Sequence, residues 1–385
     1  MPLLSRRSRA LSVIALAGAL IVVASAVYLR NGGGRTQPTS TPMAPTLFLG
    51  PAQFLSASAG WIVQGDSLLA TSDGGGHWRR IRTLPGMSVT WIRLFDERHG
   101  LVLESSGRVG DRAERLVRTD DGGAHWTADP LPATESLLQA ESMAAFPDRT
   151  HGWYVATETA GSGPKDFSLY RTDDGGAQWT RIEAVDYGHS ADHGLIRGGR
   201  AIGLHFTDAE NGWLIQGSVV MEDAVLSRTT DGGSSWQQIT LPQPSGDPSS
   251  LSDIEVPTVF PDGTAAVSTF RGFLGGTEYV YRSSDGGRTW TEPVRLQPPP
   301  RVIAFADSSH WWRAAGSLAA RTSDGGRNWH PGGRAPDGLT FTWLQPVSQR
   351  SAWAIGTQAK ADLPAAELLR TDDGGDHWSA IPLDR

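Results

Sequence analysis

Chemically reactive side chains are most concentrated in residues 184–200, whose sequence is AVDYGHSADHGLIRGGR. His189 and His193 are separated by three residues and flank Asp192, so two imidazoles and a carboxylate could bind a metal ion. That spacing suits one face of a helix, whereas glycines interrupt the segment and disfavour a helix. We therefore interpret it as a polar contact loop and expect no metal and no other cofactor. Its candidate partner-binding residues are Tyr187, His189, His193, Arg197 and Arg200.

An arginine and two aromatic residues occur together further along the chain. Arg271, Phe273 and Tyr279 lie in a segment that we predict to be a loop, and arginine and aromatic residues are enriched in protein interfaces. Arg271 and Phe273 are therefore further candidate partner-binding residues. The alternative is that they are solvated loop residues without a partner.

Short motifs of familiar enzyme classes are missing from the sequence. It contains no G-x-S-x-G, H-E-x-x-H or G-x-x-x-x-G-K pattern, which mark serine hydrolases, zinc proteases and phosphate-binding loops. There is also no cysteine among the 385 residues, so disulfides, thiolate metal sites and cysteine nucleophiles are excluded. The sequence therefore predicts no catalytic residue.

The chain is acidic once its N-terminal segment is set aside. Residues 1–35 contain five arginines and no acidic residue, and the remainder has 29 basic and 41 acidic residues, a net charge of −12. Nucleic acid binding depends on clustered lysine and arginine side chains that neutralise phosphates, and such clusters are absent here. We therefore expect no nucleic acid partner.

The N-terminus has the pattern of a membrane signal. Three arginines at 6–9 precede an uncharged run, 10–29, that is long enough to cross a bilayer, and this asymmetry places the N-terminus in the cytoplasm. We predict a signal anchor in residues 1–30 that makes the chain a single-pass cell-membrane protein, with the remainder outside the cytoplasm. The alternative is a signal peptide cleaved after Ala26, which would give a secreted or periplasmic protein. Residues 31–45, rich in Gly, Pro, Ser and Thr, are typical of a flexible linker.

One octapeptide with the pattern [ST]-x-D-G-G-x-x-W occurs seven times, at intervals of 39 to 57 residues. Its glycines can adopt positive φ in a hairpin turn, and its Asp carboxylate can accept backbone N–H groups of that turn. Its Trp supplies a large apolar surface for packing on a neighbouring sheet. Because every copy repeats the same turn, we predict a structural role for its Asp and Trp residues. They are Asp73, Asp121, Asp174, Asp231, Asp285, Asp324, Asp373, Trp78, Trp126, Trp179, Trp236, Trp290, Trp329 and Trp378.

A second turn sequence precedes each octapeptide, and its clearest copies are FLSASAGW at 54–61 and FTDAENGW at 206–213. The two turns divide each repeat into four segments rich in β-branched and aromatic residues. Repeats of about 40–50 residues with strand-like patterning are typical of propeller blades. The sequence thus predicts an all-β fold, a seven-bladed β-propeller of four-stranded antiparallel blades over residues 46–385. In the second repeat the predicted strands are 89–95, 101–105, 115–119 and 125–128.

The octapeptide resembles the Asp-box, also called the bacterial neuraminidase (BNR) repeat. Together with the Phe-x(5–6)-Gly-Trp turn, it is similar to sequences of the photosystem II stability/assembly factor-like group of seven-bladed propellers, over residues 46–385. In Asp-box families the box lies between the third and fourth strands at the blade periphery, which agrees with the predicted strands. Sialidases, xyloglucanases and sortilin-type receptors also have Asp-boxes, so the resemblance implies a fold rather than one activity.

Both repeated turns are expected on one face of the propeller, and the longer irregular connections on the other. Binding residues commonly lie on loops held by a rigid scaffold, so we predict that the irregular face and the axial mouth form the binding site. The predicted function is a non-catalytic extracytoplasmic protein that binds a protein partner or assists assembly of a membrane complex. The alternative is a glycoside hydrolase with a carbohydrate ligand and acidic residues in the axial cleft. The irregular connections are 104–114, 158–168, 184–200, 217–224, 242–256, 271–278 and 358–365.

Overall fold

Strands make up the regular structure of the described residues, apart from one short 3₁₀ turn at Pro336–Gly338. These strands form seven antiparallel sheets that follow one another along the chain, and we name them blades 1 to 7. Each blade is built from contiguous chain, with its strands in sequence order. The computed structural model describes residues 49–106, 113–132, 143–157, 167–185, 193–196, 199–217, 224–272, 276–300, 302–358 and 366–383.

Six of the blades have four strands in these residues. Blade 1 contains Leu49–Phe54, Gly60–Gln64, Ser67–Thr71 and Arg79–Thr83; blade 2 Met87–Leu94, Gly100–Ser106, Ala113–Thr119 and Thr127–Pro130; and blade 3 Met143–Ala145, Gly152–Thr157, Phe167–Thr172 and Thr180–Val185. Blade 4 contains Arg200–Phe206, Gly212–Gly217, Val225–Thr229 and Gln237–Ile239; blade 6 Val302–Phe305, Trp311–Ala315, Leu318–Thr322 and His330–Arg334; and blade 7 Thr340–Pro346, Ala352–Thr357, Ala366–Thr371 and Ser379–Ile381.

Blade 5 differs because its first strand is interrupted. Leu251–Ile254 and Thr258–Val259 both pair with the second strand, Ala265–Arg271, on either side of a break at 255–257. The third and fourth strands are Thr277–Ser283 and Val294–Leu296. Blade 5 therefore keeps the four-stranded plan with a divided first strand.

The predicted seven-bladed all-β fold is confirmed. The four strands of blade 2 begin and end within two residues of those predicted, and the octapeptides connect third strands to fourth strands throughout. Glu104 was assigned both to strand 101–105 and to the connection 104–114; it lies in the strand and is 0 % exposed. The predicted connection 242–256 was wrong at Leu251–Ile254, which form a strand of blade 5.

Large apolar side chains fill the space between neighbouring blades. Trp153 of blade 3 stacks on Phe206 of blade 4 with ring centroids 3.5 Å apart, and Phe54 of blade 1 stacks on Trp353 of blade 7 at 4.0 Å. The second strand of blade 3 is buried at all six positions because both of its faces pack on neighbours. The core therefore consists of layers between blades.

Among the described strands, blade 7 and blade 1 close the ring without a strand shared between the chain ends. Gln345 of blade 7 donates to the Phe54 carbonyl oxygen at 2.8 Å and accepts the Phe54 backbone N–H at 2.9 Å. Trp353 Nε1 donates to the Ser56 carbonyl oxygen at 3.1 Å. Side chains thus join blade 7 to blade 1.

The predicted anchor, 10–29, and the predicted linker, 31–45, lie outside the described residues. Among the residues that the structure does describe, no helix has the length and apolar character needed to cross a membrane.

Candidate functional site on the loop face

Thr172 and Asp174 show the hydrogen bonds that organise the octapeptide turns. The Asp174 carboxylate accepts the Thr172 hydroxyl at 2.7 Å and the Gln178 backbone N–H at 2.9 Å, while the Thr172 hydroxyl oxygen accepts the Gly176 N–H at 3.0 Å. Gly175 and Gly176 have φ of 75° and 100°, which favours glycine. The same pattern recurs in the other six octapeptides.

These hydrogen bonds lower the pKa of all seven octapeptide aspartates. The backbone N–H of His77 is the main cause at Asp73, whose pKa falls to about 2. At Asp231 and Asp373 desolvation by burial raises the pKa, but the hydrogen bonds lower it by more, so the pKa is lowered overall. The pKa is also lowered at Asp121, Asp174, Asp285 and Asp324. The seven carboxylates are therefore ionised at neutral pH and bonded within their own turns.

The octapeptide turns lie beside the turns between first and second strands. The N–H of Gly74 donates to the Ser58 carbonyl oxygen at 2.8 Å, and the N–H of Gly175 donates to that of Thr150 at 2.8 Å. We call the face that carries these paired turns the turn face. The opposite face, with the connections between second and third strands and between blades, is the loop face.

The predicted contact loop, 184–200, is described at 184–185, 193–196 and 199–200. The carboxylate of Glu183 lies 2.8 Å from Nδ1 of His193. Gln216 accepts the Ile196 N–H and donates to the Ile196 carbonyl oxygen, each at 2.9 Å, and Arg200 begins the first strand of blade 4. Buried side chains thus hold the described residues of this loop. Tyr187, His189 and Arg197 lie outside the described residues.

A cleft of about 370 Å³ opens at the loop face beside blade 5. The Asp247 carboxylate accepts the Tyr279 hydroxyl at 2.7 Å and the Ser249 N–H at 3.0 Å. Arg271 donates to the Ser249 carbonyl oxygen at 2.9 Å and to the Gln243 side chain at 3.2 Å. Hydrogen bonds from Ser249 and Tyr279 lower the pKa of Asp247 to about 2. The cleft therefore combines a fixed carboxylate with a guanidinium group.

The structure brings Arg271 and Tyr279 together, but not on a loop. Arg271 ends the second strand of blade 5 and Tyr279 lies within the third, and each is 5 % exposed. The prediction that both belong to a loop was therefore wrong, because the second and third strands stay paired as far as Arg271 and Thr277. Phe273 lies outside the described residues. Asp247 was missed, since its Ser-Gly-Asp-Pro context is typical of an ordinary turn.

Three carboxyl groups lie near one another in blade 5, facing Arg313 of blade 6. Burial is the main cause that raises the pKa of Glu278 to about 7. The Ser268 hydroxyl, which donates to the Glu278 carboxylate at 2.8 Å, lowers this pKa. The charges of Glu255 and Asp253 raise it and the charge of Arg313 lowers it. Burial also raises the pKa of Asp253. A buried carboxyl with a pKa near 7 has the acidity of a general acid.

Metal binding was considered for His189, Asp192 and His193, and the first two lie outside the described residues. In the part of the chain that the structure describes, no group of three or more His, Asp or Glu side chains could hold a metal ion.

These features define the chain as a seven-bladed β-propeller with a polar cleft on its loop face. The structure is similar to that of "YCF48 bound to D1 peptide", with a TM-score of 0.56 and 18 % identity, covering 85 % of this chain and 93 % of that one. It is also similar to an oligogalacturonate lyase in complex with manganese, with a TM-score of 0.59 and 11 % identity, covering 86 % and 91 %. At these identities the similarity shows the fold.

No family model matches the chain. A xyloglucanase from Paenibacillus sp. is 27 % identical over an alignment of 203 residues, and the match covers 46 % of this chain and 18 % of the xyloglucanase. The chain thus matches less than a fifth of that relative's length.

Proposed function

We propose that this propeller is a non-catalytic extracytoplasmic protein that binds a protein partner on its loop face and assists a membrane complex. The observation that carries the proposal is the cleft beside blade 5, which is lined by residues 244–249 of the connection before that blade and by strand residues that include Arg271, Tyr279 and Arg295. The turn face offers repeated short turns whose carboxylates are bonded internally, whereas recognition requires a distinctive group of side chains. The similar fold of YCF48, which was solved with a D1 peptide, supports a peptide or protein ligand.

The surface chemistry supports a polar ligand. Among the described residues Leu318 is the only large apolar side chain that is exposed, so this part of the surface offers no extended apolar patch. We propose that residues 10–29 anchor the chain in the cell membrane and that 31–45 form a tether. Cleavage after Ala26 is the alternative, and the mass of the mature N-terminus distinguishes the two.

Capture of a partner from detergent-solubilised membranes tests the function. We expect Ser/Gly replacement of Tyr187, His189 and Arg197 to reduce capture. The melting temperature should stay nearly unchanged, because the buried Leu195, which packs in the core, is retained. Matched changes on the turn face, at the exposed residues Glu97 and Glu210, serve as controls and should leave capture intact. Equal loss from both faces, or loss from the turn face alone, would contradict the proposal.

A glycoside hydrolase is the second candidate function. It is favoured by the pKa of about 7 for Glu278 beside Asp253 and Glu255, and by the partial similarity to a xyloglucanase. In this alternative Glu278 is the proton donor, and a second carboxylate activates water or attacks the sugar. Hydrolysis of xyloglucan by the full chain, lost in Glu278→Gln, would favour it; absence of hydrolysis by the folded chain would remove it.

A further inference from the structure

We propose that the cleft beside blade 5 binds the carboxylate side chain of an extended acidic peptide, a partner chemistry that rests on the proposed function. The two guanidinium groups at this cleft are Arg271, which is 5 % exposed, and Arg295, which is exposed on the fourth strand. Neither forms an ion pair with a carboxylate of the described residues. Several other arginines of the described chain do, among them Arg115 and Arg149.

The carboxylates at the cleft are already bonded to its walls. Asp247 accepts the Tyr279 hydroxyl and the Ser249 N–H, and Glu292 accepts the Ser245 N–H at 3.0 Å. These donors hold the connection before blade 5 in place. The two carboxylates therefore have partners in the unliganded protein.

The guanidinium groups have unused donors instead. The Nε of Arg271 is buried without a hydrogen-bond partner, and its Nη1 bonds only neutral oxygens, those of Gln243 and Ser249. Arg295 donates to the Thr277 hydroxyl at 3.2 Å, a single neutral acceptor. A guanidinium presents five N–H groups in a planar fork that matches a carboxylate. The exposed Arg295 therefore offers the donors that an anionic ligand group can reach, and the positive charge of Arg271 lies behind them in the cleft wall.

The cleft is long enough for more than one residue of a ligand. A second space of about 550 Å³ shares Gly276, Thr277 and Arg295 with it and continues past Pro298 and Pro299. Arg295 thus stands at the junction of two connected spaces. An extended segment can lie along both, with one acidic side chain at the guanidinium groups.

The acidic character of the whole propeller does not prevent this. Exposed charges more than about 8–10 Å apart are largely screened at physiological ionic strength, whereas a direct guanidinium–carboxylate contact is screened much less. Remote acidic residues therefore reduce the affinity less than the two arginines raise it.

The experiment measures affinity of the full chain, by calorimetry in detergent, for an acetylated and amidated Gly-Ser-Glu repeat peptide and its Gly-Ser-Gln counterpart. We expect the Glu peptide to bind about tenfold more tightly, and Arg295→Gln to abolish that difference. Arg334→Gln is the matched control, because Arg334 occupies the fourth strand of blade 6 and contacts a hydroxyl, Ser317 Oγ at 3.4 Å, outside the cleft. It should leave both affinities unchanged.

Several results would overturn the inference. Equal binding of the two peptides, or equal loss in Arg334→Gln and Arg295→Gln, would remove the role of the cleft guanidinium. Binding of oligogalacturonate, but not of the Glu peptide, lost in Arg295→Gln, would assign the cleft to an acidic carbohydrate instead. If the protein binds the Glu and Gln peptides equally while partner capture still depends on 187–200, only the acidic-peptide inference is wrong. If partner capture depends neither on 187–200 nor on the cleft beside blade 5, the proposed function is wrong as well.

Discussion

At the scale of single residues, Thr172 and Asp174 share one turn but differ in burial. Thr172 is 2 % exposed, and its hydroxyl satisfies the Gly176 N–H inside the blade, whereas Asp174 is exposed to water. Water can replace a lost partner at an exposed site, but not at a buried one. The recurring geometry of the turn therefore depends more on the hydroxyl than on the carboxylate.

Replacing these two residues separately tests that ranking. Thr172→Val should lower the free energy of unfolding by about 1–3 kcal/mol, since it leaves a buried N–H unpaired, and Asp174→Ala by about 1 kcal/mol. Neither change should alter partner binding per folded molecule. Thermal and urea unfolding give the values; a larger loss in Asp174→Ala would contradict the ranking, and abolished binding with an unchanged melting temperature would contradict a structural role.

The buried carboxyl of Glu278 predicts a pH dependence of stability. Its pKa of about 7 in the folded protein exceeds that of an unfolded glutamate, near 4.3, so the folded state retains a proton that the unfolded state has lost. The free energy of unfolding should therefore fall as pH rises between these values, by up to about 4 kcal/mol. Glu278→Gln should remove this fall, and stability curves of the two proteins that run parallel from acid to neutral pH would contradict the assignment.

Sequence reasoning identified octapeptide residues more easily than site residues. Asp174 and Gly176 could be assigned to a turn because their partners are four or fewer positions away. Asp247 and Tyr279 are 32 positions apart, and their contact depends on the path of a whole connection. Residue type alone could not indicate that pairing.

At the scale of elements, an arginine precedes six of the seven octapeptides, and blade 1 has Ala70 in its place. Arg370 of blade 7 donates to the Gly74 carbonyl oxygen of blade 1 at 2.8 Å. In blade 1 the cross-strand neighbour of Ala70, Arg79, donates to the Gly122 carbonyl oxygen of blade 2 at 2.9 Å. The fourth strand thus supplies a guanidinium that the third strand lacks. The six arginines are Arg118, Arg171, Arg228, Arg282, Arg321 and Arg370.

Moving this arginine between strands should restore the contact. Arg79→Ala should destabilise the protein by about 1–2 kcal/mol, because a charge-assisted hydrogen bond between blades is lost. The double variant Ala70→Arg/Arg79→Ala should recover most of that loss, since the guanidinium returns to the position used in the other blades. Unfolding free energies of the three proteins decide this, and no recovery in the double variant would contradict the equivalence of the two strands.

The strands themselves could be predicted from turn sequences, and the exceptions have physical causes. The break at 255–257 in blade 5 was not predicted, because the turn sequence FPDGTAA still indicates an ordinary strand end. The burial of Glu104 depends on Arg82 of blade 1 and on Arg115, whose Nε lies 2.8 Å from the carboxylate. A contact between two blades cannot be read from the pattern of either blade.

At the scale of the whole molecule, the number of blades could be predicted, since each repeat supplies one sheet, but the closure of the ring could not. Blades 1 and 7 lie at opposite ends of the described chain and are joined by side chains such as Gln345. Gln53 makes a comparable contact with the Leu94 N–H, but blades 1 and 2 are also joined by the chain. The contact between blades 1 and 7 is therefore not reinforced by a direct chain connection, unlike the contact between blades 1 and 2.

Gln345→Ala tests the importance of closure. It removes two hydrogen bonds to the buried backbone of Phe54, so we expect a loss of about 1–3 kcal/mol and faster hydrogen exchange in blades 1 and 7. Gln53→Ala is the matched variant and should leave exchange in blade 7 unchanged. Similar exchange in both variants would show that closure does not depend on Gln345.

Binding of the partner at the loop face can be measured by hydrogen–deuterium exchange of the full chain, free and in complex with its captured partner. We expect slower exchange of backbone amides in 184–200, 242–250 and 272–276 in the complex, because the ligand covers those connections. Exchange in the turns 55–59, 95–99 and 207–211 should not change. Protection confined to these turns, or spread equally over both faces, would contradict the account.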